Sequence, residues 1–315
     1  MDRTKMGSNL LLAVAAFIWG VAFVAQSVGM EYVEPFTFNG CRFLMGGAVL
    51  LPLIWAMGQK GRKGQEEGVK DQAGGRTQAD QAAKGKKERQ RMGLLGGILC
   101  GFVLFVASSF QQFGVAGTTV GKAGFITALY IVIVPLLGIF LKKKIPWSVW
   151  ISVALATAGM YLLCMTEGLK ISRGDGYVFL CAICFSFHIL VIDYVSPKAD
   201  GVVISCAQFF TAGILSVMAA MVFETPKMSS ILAAWAPIVY AGVMSCGVGY
   251  TLQVVAQKNT DPVLASLILS LESAFSLLAG WVILGQKLSP KELSGCVLVF
   301  AAIILAQIPV GKKDA

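Results

Sequence analysis

Long apolar segments alternate with short polar segments along most of this chain. The apolar segments are continuous, and each is close to the roughly 20 residues that a helix needs to cross a hydrocarbon core about 30 Å thick. A backbone in lipid must satisfy its own hydrogen bonds, and continuous rather than alternating apolar runs favour helices over barrel strands. The pattern predicts an all-α membrane protein with ten transmembrane helices. These are 8–28, 35–57, 92–113, 119–141, 146–165, 174–194, 201–223, 232–256, 262–284 and 290–309.

Composition agrees with a membrane protein. Hydrophobic residues make up 56% of the chain and charged residues 14%, whereas a soluble domain carries about 25% charged residues. The net charge of +9 lies in loops and one linker, which argues against nucleic-acid binding. All eight cysteines lie in apolar runs, unlike a secreted disulfide framework. Cys181 and Cys184 form a C-x-x-C pair without a second pair, so we expect no metal, cofactor or redox site.

The segment 58–91 differs from the rest of the chain. It contains ten Lys or Arg residues and no Leu, Ile or aromatic residue. Such a segment buries too little apolar surface to order itself. We therefore predict a disordered, basic, cytoplasmic linker between the second and third helices.

The distribution of Lys and Arg predicts the orientation. With the amino terminus inside, nineteen Lys or Arg residues lie in inner segments and six in outer segments. Without the linker the counts are nine and six, so the sign is unchanged. The positive-inside rule then places both termini in the cytoplasm of a bacterial-type plasma (inner) membrane.

The two halves of the chain resemble each other at constant offsets. An offset of 143 aligns Leu141 with Leu284, an offset of 166 aligns Phe43 with Phe209, and an offset of 142 aligns Gln111 with Gln253. The halves are 1–57 with 92–165, and 166–310. Each holds five predicted helices, and because five is odd, the second half must enter the bilayer from the opposite side. This predicts two inverted five-helix repeats around a central cavity, an arrangement common in secondary transporters.

Four segments resemble a known family. They are AAFIWGVAFVAQ (15–26), FTFNGCRFLMGG (36–47), FQQFGVAGTTVGKAGFITALYIVIVPLLG (110–138) and LSLESAFSLLAGWVILGQKLSP (269–290). Through them the chain resembles the drug/metabolite transporter (DMT) superfamily, specifically the bacterial EamA-type ten-helix permeases. The resemblance implies an inner-membrane carrier, often an exporter of amino acids or other small metabolites. It also implies a cavity between the halves, lined mainly by helices 1, 3, 4, 6, 8 and 9.

Two ionisable residues lie deep in predicted helices, where each costs roughly 2.5–3.5 kcal/mol at the helix centre. Glu272 lies about 15 Å into the ninth helix, near the midplane. It is either a proton carrier or partner of a substrate amine, or a structural carboxylate held by hydroxyls such as those of Ser270, Ser273 and Ser276. Arg42 lies about 10 Å below the outer surface. It either snorkels or forms a fixed inter-helix ion pair, for which Glu272 is a candidate partner.

Lys122 and His188 also each have a functional and a structural interpretation. Lys122 opens the fourth helix, where it either snorkels or attracts anions to the cavity entrance. His188, the only histidine, either relays protons or is a hydrogen-bonded structural residue.

Neutral polar and aromatic residues complete the candidate site. An aromatic-walled cavity with amide groups suits an amphipathic metabolite, although ordinary helix packing also explains the aromatic residues. The candidates are Gln111, Gln253, Tyr130, Tyr250 and Trp19.

Motifs of membrane enzymes and nucleotide-driven pumps are missing. No G-x-S-x-G, H-E-x-x-H or G-x-x-x-x-G-K-[ST] sequence occurs. The sequence thus predicts a secondary-active transporter and not an enzyme. It would move an amino acid or similar amphipathic solute by alternating access, with export as the expected direction and with proton coupling as an additional expectation. The alternative is a lipid or lipid-linked sugar translocase with the same fold.

Overall fold

The structure, a computed structural model, describes residues 3–70, 75–142, 145–164, 172–285 and 289–307. All elements in these ranges are helical. The first half contains α1 (Arg3–Gly29), α2 (Pro35–Lys70), α3 (Gly75–Val115), α4 (Val120–Thr127), α5 (Tyr130–Phe140) and α6 (Trp147–Cys164). The second half contains α7 (Arg173–Val195), α8 (Gly201–Phe223), α9 (Met228–Ala233), α10 (Trp235–Val239), α11 (Thr251–Gln257), α12 (Pro262–Leu269), α13 (Leu271–Leu284) and α14 (Pro290–Gln307). A 3₁₀ turn follows α7 at Ser196–Lys198, and a π-helical segment, Tyr240–Tyr250, joins α10 to α11.

Eight segments are long and apolar enough to cross a membrane, and all eight fall on predicted spans. They are Thr4–Gly29, Pro35–Met57, Lys87–Val115, Val120–Phe140, Arg173–Lys198, Gly201–Phe223, Trp235–Gln257 and Pro262–Leu284. The predicted spans 146–165 and 290–309 lie on α6 and α14. Within the described residues the apolar parts of these helices are shorter, Trp147–Gly159 and Leu293–Ala306. Residues 165, 308 and 309 lie outside the described residues.

The segment 58–91, for which a disordered cytoplasmic linker is predicted, is helical where the structure describes it, and its disorder and its side of the membrane stay predictions. Helix α2 continues beyond the apolar segment to Lys70, and α3 begins at Gly75. Residues 71–74 lie outside the described residues. The segment 58–91 combines Gln, Lys and Arg, which have high helix propensity, with seven Gly residues, which have low helix propensity. Because α2 and α3 are already nucleated in their apolar parts, adding further turns to them avoids the cost of a new nucleus.

Two predicted spans are broken helices. The span 119–141 divides into α4 and α5, and the span 262–284 divides into α12 and α13. Both α4 and α12 have eight residues, and their first residues, Val120 and Pro262, are 142 positions apart. At the breaks, Leu129 and Ser270 both have ψ of −12°, whereas an α-helix has about −42°. The first break spans Ala128 and Leu129 and the second Ser270, so both breaks begin at the same position in their half and have a similar local conformation.

The ends of these two spans also match. Among the described residues, the positive φ angles belong to Lys142, at 58°, and Gly285, at 65°. The two positions are 143 residues apart. Each residue directly follows the end of a broken span, where a left-handed residue commonly terminates a helix.

Helices of the two halves pack on each other in the core. Helix α2 packs along α8, α6 along α14, and α3 along α7 and α8. Between α2 and α8 the rings of Phe43 and Phe209 stack with centroids 6.3 Å apart and planes 9° from parallel. Phe43 and Phe209, which the offset of 166 aligns, are thus in contact with each other.

At one end of the bundle the halves are also joined by hydrogen bonds. The Glu224 carboxylate, which follows α8, accepts from the backbone N–H groups of Phe36 and Thr37 at 2.7 and 2.8 Å. These N–H groups lie in the first turn of α2, where they have no partner within the helix and where the helix dipole favours a carboxylate. At the same end Thr118 donates to the Asp175 carboxylate at 2.5 Å.

Helix α13 lies against α1 at Gly20. A Cβ atom on Gly20 would overlap the Cβ of Phe275 and would lie 2.8 Å from the backbone nitrogen of Ser276. Because the second contact is to backbone, it cannot be relieved by a side-chain rotation. Gly20 therefore sets how closely α1 and α13 approach.

We expect Gly20→Ala to destabilise the protein by about 1–3 kcal/mol, the usual cost of overpacking. The measurement is the thermal unfolding midpoint of the purified protein in detergent. The matched control is Gly7→Ala in the same helix, because a Cβ there has no atom within 4 Å and should leave the midpoint equal or slightly raised. Equal midpoints for Gly20→Ala and Gly7→Ala would contradict the close contact.

Candidate functional site

A cavity, here called the central cavity, lies between the two halves. The volume that the centre of a water molecule can occupy in it is about 30 Å³, enough for about two waters. Helices α1 to α5 of the first half and α7, the π-helical segment and α11 to α13 of the second half all contribute to its lining. The lining residues are Trp19, Phe23, Gln26, Arg42, Gln111, Thr127, Tyr130, Phe185, Ile189, Ser245, Tyr250, Gln253, Leu269 and Glu272.

The two broken helices meet at the cavity through one hydrogen bond. The Tyr130 hydroxyl donates to Oε1 of Glu272 at 2.8 Å. Both side chains are buried, with 3% and 4% of their surface exposed. Tyr130 is the first residue of α5 and Glu272 is the second residue of α13. A residue just after the break in one half therefore binds a residue just after the break in the other half.

The break before α13 favours a carboxylate at this position. Glu272 lies in the first turn of α13, where the helix dipole favours negative charge. The serine hydroxyls that the sequence offers as donors to Glu272 have other partners. Ser270 and Ser273 each donate to the carbonyl three residues earlier in the chain, at 2.7 Å. Such back-bonding competes with the helical pattern and bends helices.

Arg42 is buried in the same cavity with little hydrogen bonding. Only 1% of its surface is exposed, and its Nε and Nη2 atoms have no hydrogen-bond partner among the described residues. Its guanidinium carbon lies 4.7 Å from the ring centroid of Phe43 and 5.8 Å from that of Phe38. These cation–π contacts stabilise the charge in part. No ion pair joins Arg42 to Glu272 in the described part of the chain, although both residues line the cavity.

An aromatic wall crosses the cavity from one half to the other. The rings of Trp19 and Tyr250 have centroids 4.6 Å apart. The Trp19 indole N–H donates to the Ser245 carbonyl at 3.4 Å, and the Tyr240 hydroxyl donates to the Ile18 carbonyl at 3.1 Å. Ser245, Tyr250 and Tyr240 all belong to the π-helical segment, and π-helical turns are frequent at functional sites.

Two of the glutamines that line the cavity have side-chain oxygens without donors. Oε1 of Gln26 and Oε1 of Gln253 are buried and have no hydrogen-bond partner among the residues described here. Gln111 also lines the cavity. The lining of the cavity thus combines one guanidinium group, one carboxyl group, amide groups and aromatic rings.

The structure brings seven of the nine predicted site residues together: Glu272, Arg42, Gln111, Gln253, Tyr130, Tyr250 and Trp19.

The remaining two predicted site residues are not among the described residues that line the cavity. His188 is fully buried between α7 and α8, where its Nε2 lies 3.1 Å from Oε1 of Gln208. This contact fits the alternative in which His188 is a hydrogen-bonded structural residue. Lys122 lies in the first turn of α4 and is partly exposed, and its backbone N–H donates to the Thr119 side chain.

Sequence reasoning missed several lining residues. Gln26, Thr127 and Ser245 are neutral polar residues in apolar runs, and Phe23 adds an aromatic face. Gln26 lies in the first segment that carries the family resemblance, and this position was the signal that could have identified it as a lining residue. Thr127 and Ser245 have small side chains that pack equally well between helices, so their type alone does not mark a cavity.

Comparisons with known proteins agree with the predicted family. A model of the EamA-like transporter family matches residues 6–165 and 172–307. An uncharacterized transporter of Archaeoglobus fulgidus is 28% identical over 307 residues, which are 97% of this chain and 87% of that protein. An uncharacterized transporter of Synechocystis sp. is 25% identical over 327 residues, covering 96% of this chain and 90% of that protein.

The fold is also similar to a solved crystal structure. The two superpose with a TM-score of 0.72 and cover 96% of each chain at 18% sequence identity, so this likeness concerns the fold alone. The predicted family resemblance is confirmed by the family match over both halves. The chain is a multi-pass membrane protein and belongs to the EamA-like transporter family.

Proposed function

We propose that this transporter is a secondary-active carrier that exports a small amphipathic metabolite, such as an amino acid, by alternating access and without enzymatic chemistry. The observation that carries the proposal is the Tyr130–Glu272 hydrogen bond at the centre of the bundle. A buried polar pair that joins two broken helices next to a cavity is the arrangement that transporters use for binding and coupling. The aromatic and amide lining supports an amphipathic solute.

Inverted repeats are part of the proposal. Three observations support them: the equivalent breaks after α4 and α12, the left-handed residues Lys142 and Gly285, and the stacking of Phe43 on Phe209. The family model also matches the chain in two parts that divide near residue 170. Each half would then contribute five of ten transmembrane helices, 1–57 with 92–165 forming one repeat and 166–310 the other.

Alternating access requires the halves to separate at one end at a time. The Glu224 bonds to α2 and the Thr118–Asp175 bond join the halves at one end. In the predicted orientation this is the outer end. Opening the central cavity to the outside would break these bonds, and closing it would restore them.

Counterflow in proteoliposomes tests the function. We expect vesicles that contain the purified protein and an unlabelled amino acid to exchange it for the labelled amino acid. The reason is that a carrier cycles fastest when it is loaded in both directions. Protein-free vesicles are the control. Scrambling of a labelled phospholipid without amino-acid exchange would favour the lipid translocase instead.

The role of Glu272 is tested by Glu272→Gln, which keeps the shape of the side chain and its contact with Tyr130 but cannot release a proton. If Glu272 couples transport to protons, uptake driven by a pH gradient should fall to the level of protein-free vesicles. Counterflow without a gradient should continue, because exchange needs no net proton movement.

Glu31→Gln, at an exposed loop position, is the matched control and should behave like the wild type. Undiminished gradient-driven uptake by Glu272→Gln would remove Glu272 from coupling.

Thiol labelling tests the inverted repeats and the orientation. Leu141 and Leu284 are equivalent and exposed, with 59% and 41% of their surface accessible. In inverted repeats they lie on opposite sides of the membrane. With both termini cytoplasmic, a membrane-impermeant maleimide should label Leu284→Cys in intact cells and Leu141→Cys only after permeabilisation. The unsubstituted protein controls for native cysteines. Labelling of both positions from one side would contradict the inversion.

A further inference from the structure

Arg42 has the features of a ligand-binding residue in the central cavity. Its guanidinium group is always charged in proteins and presents its donors in a rigid, planar fork. An unpaired buried charge is costly, and buried donors without acceptors are rare enough to need an explanation. Here Nε and Nη2 have no acceptor among the described residues, and the side chain is 99% buried at the cavity wall.

Among the described residues, no group of the protein accepts from these two atoms. Glu272 is the carboxylate that shares the cavity, and its Oε1 accepts from Tyr130. The guanidinium carbon lies 4.7 Å from the ring centroid of Phe43 and 5.8 Å from that of Phe38. Phe43 is itself fixed by its stacking on Phe209. Aromatic rings hold Arg42 in place but offer no in-plane acceptors, so Nε and Nη2 stay without an acceptor among the described residues.

The other unsatisfied groups of the cavity are acceptors. Oε1 of Gln26 and Oε1 of Gln253 lack donors among the described residues. A ligand that satisfies both sets of groups carries an anion for Arg42 and at least one N–H or O–H donor for the amides. The guanidinium fork matches the two oxygens of a carboxylate. The aromatic rings of Trp19 and Tyr250 remain for the apolar part of the ligand.

We infer that Arg42 is the substrate-binding residue that holds the carboxylate of a small organic acid, with the amide oxygens of Gln26 and Gln253 accepting from a donor group on the same molecule. This inference deepens the proposed function and rests on it, because the bound acid is a substrate only if the protein transports it. The binding site itself is testable without transport.

The first test uses the unmodified protein. Each common α-amino acid is compared with its own carboxamide, which differs only by loss of the carboxylate, in a thermal-shift and calorimetric binding assay in detergent. We expect at least one acid to bind about tenfold to a hundredfold more tightly than its carboxamide, the range for a hydrogen bond to a charged group. Equal binding of acid and carboxamide, or no binding by any acid, overturns the inference.

Variants then locate the carboxylate. In Arg42→Gln the preference for acid over carboxamide should disappear, and in Arg42→Lys it should be reduced, because the charge is kept but the fork is lost. Arg173→Gln, at an exposed position at the start of α7, is the matched control and should keep the preference. A general loss of stability would weaken acid and carboxamide binding alike, so the ratio separates binding from folding. An unchanged ratio in Arg42→Gln overturns the inference.

The oxyanion could also come from a lipid phosphate, and dihexanoyl phosphatidylglycerol serves as the probe for it. Stabilisation by this lipid through Arg42, with no effect of any amino acid, overturns the carboxylate assignment. If an acid binds through Arg42 but no counterflow occurs, the inference stands and the transport proposal fails. If counterflow occurs equally with acid and carboxamide, transport stands and the inference fails.

Discussion

The hydrogen bond from Tyr130 to Glu272 is the interaction on which the centre of this molecule depends. A carboxyl group near the middle of a bilayer is stable only if protein groups replace the water it has lost. Here a phenol from the first half supplies a donor, and the first turn of α13 supplies a favourable dipole. Because Tyr130 belongs to α5 and Glu272 to α13, satisfying this one group also ties the two halves together at the cavity.

The two helix breaks follow from the same constraint. In a continuous helix Glu272 would not lie in a first turn, where the helix dipole favours a carboxylate. Interrupting the helix at Ser270 puts a helix start beside Glu272, and the equivalent interruption at Leu129 puts Tyr130 at the start of α5. Close packing around the break is kept by Gly20 and Gly124, since a Cβ on either would overlap α13.

The sequence predicts the spans well because lipid thickness and backbone hydrogen bonding fix the length of an apolar run. It also predicts most of the polar residues that line the cavity, because polar side chains in apolar runs avoid lipid and face the interior of the bundle. The breaks are harder to predict. The residues at the first break, Ala128 and Leu129, are neither Gly nor Pro, whereas Pro135 lies inside continuous α5. His188 illustrates a second limit. The sequence of an apolar helix does not show which of its faces lies at the cavity and which packs against a neighbouring helix.

The separation of Arg42 from Glu272 has a physical rationale. Two opposite charges in contact at 4 Å attract by about 4 kcal/mol at an effective dielectric constant of 20, and by more in drier surroundings. A ligand that had to break such a pair would bind weakly. In this structure Tyr130 holds the carboxyl group, and the rings of Phe38 and Phe43 hold the guanidinium. The guanidinium and the carboxyl group therefore line one cavity without pairing with each other among the described residues. A ligand that enters the cavity has no ion pair between these two groups to break.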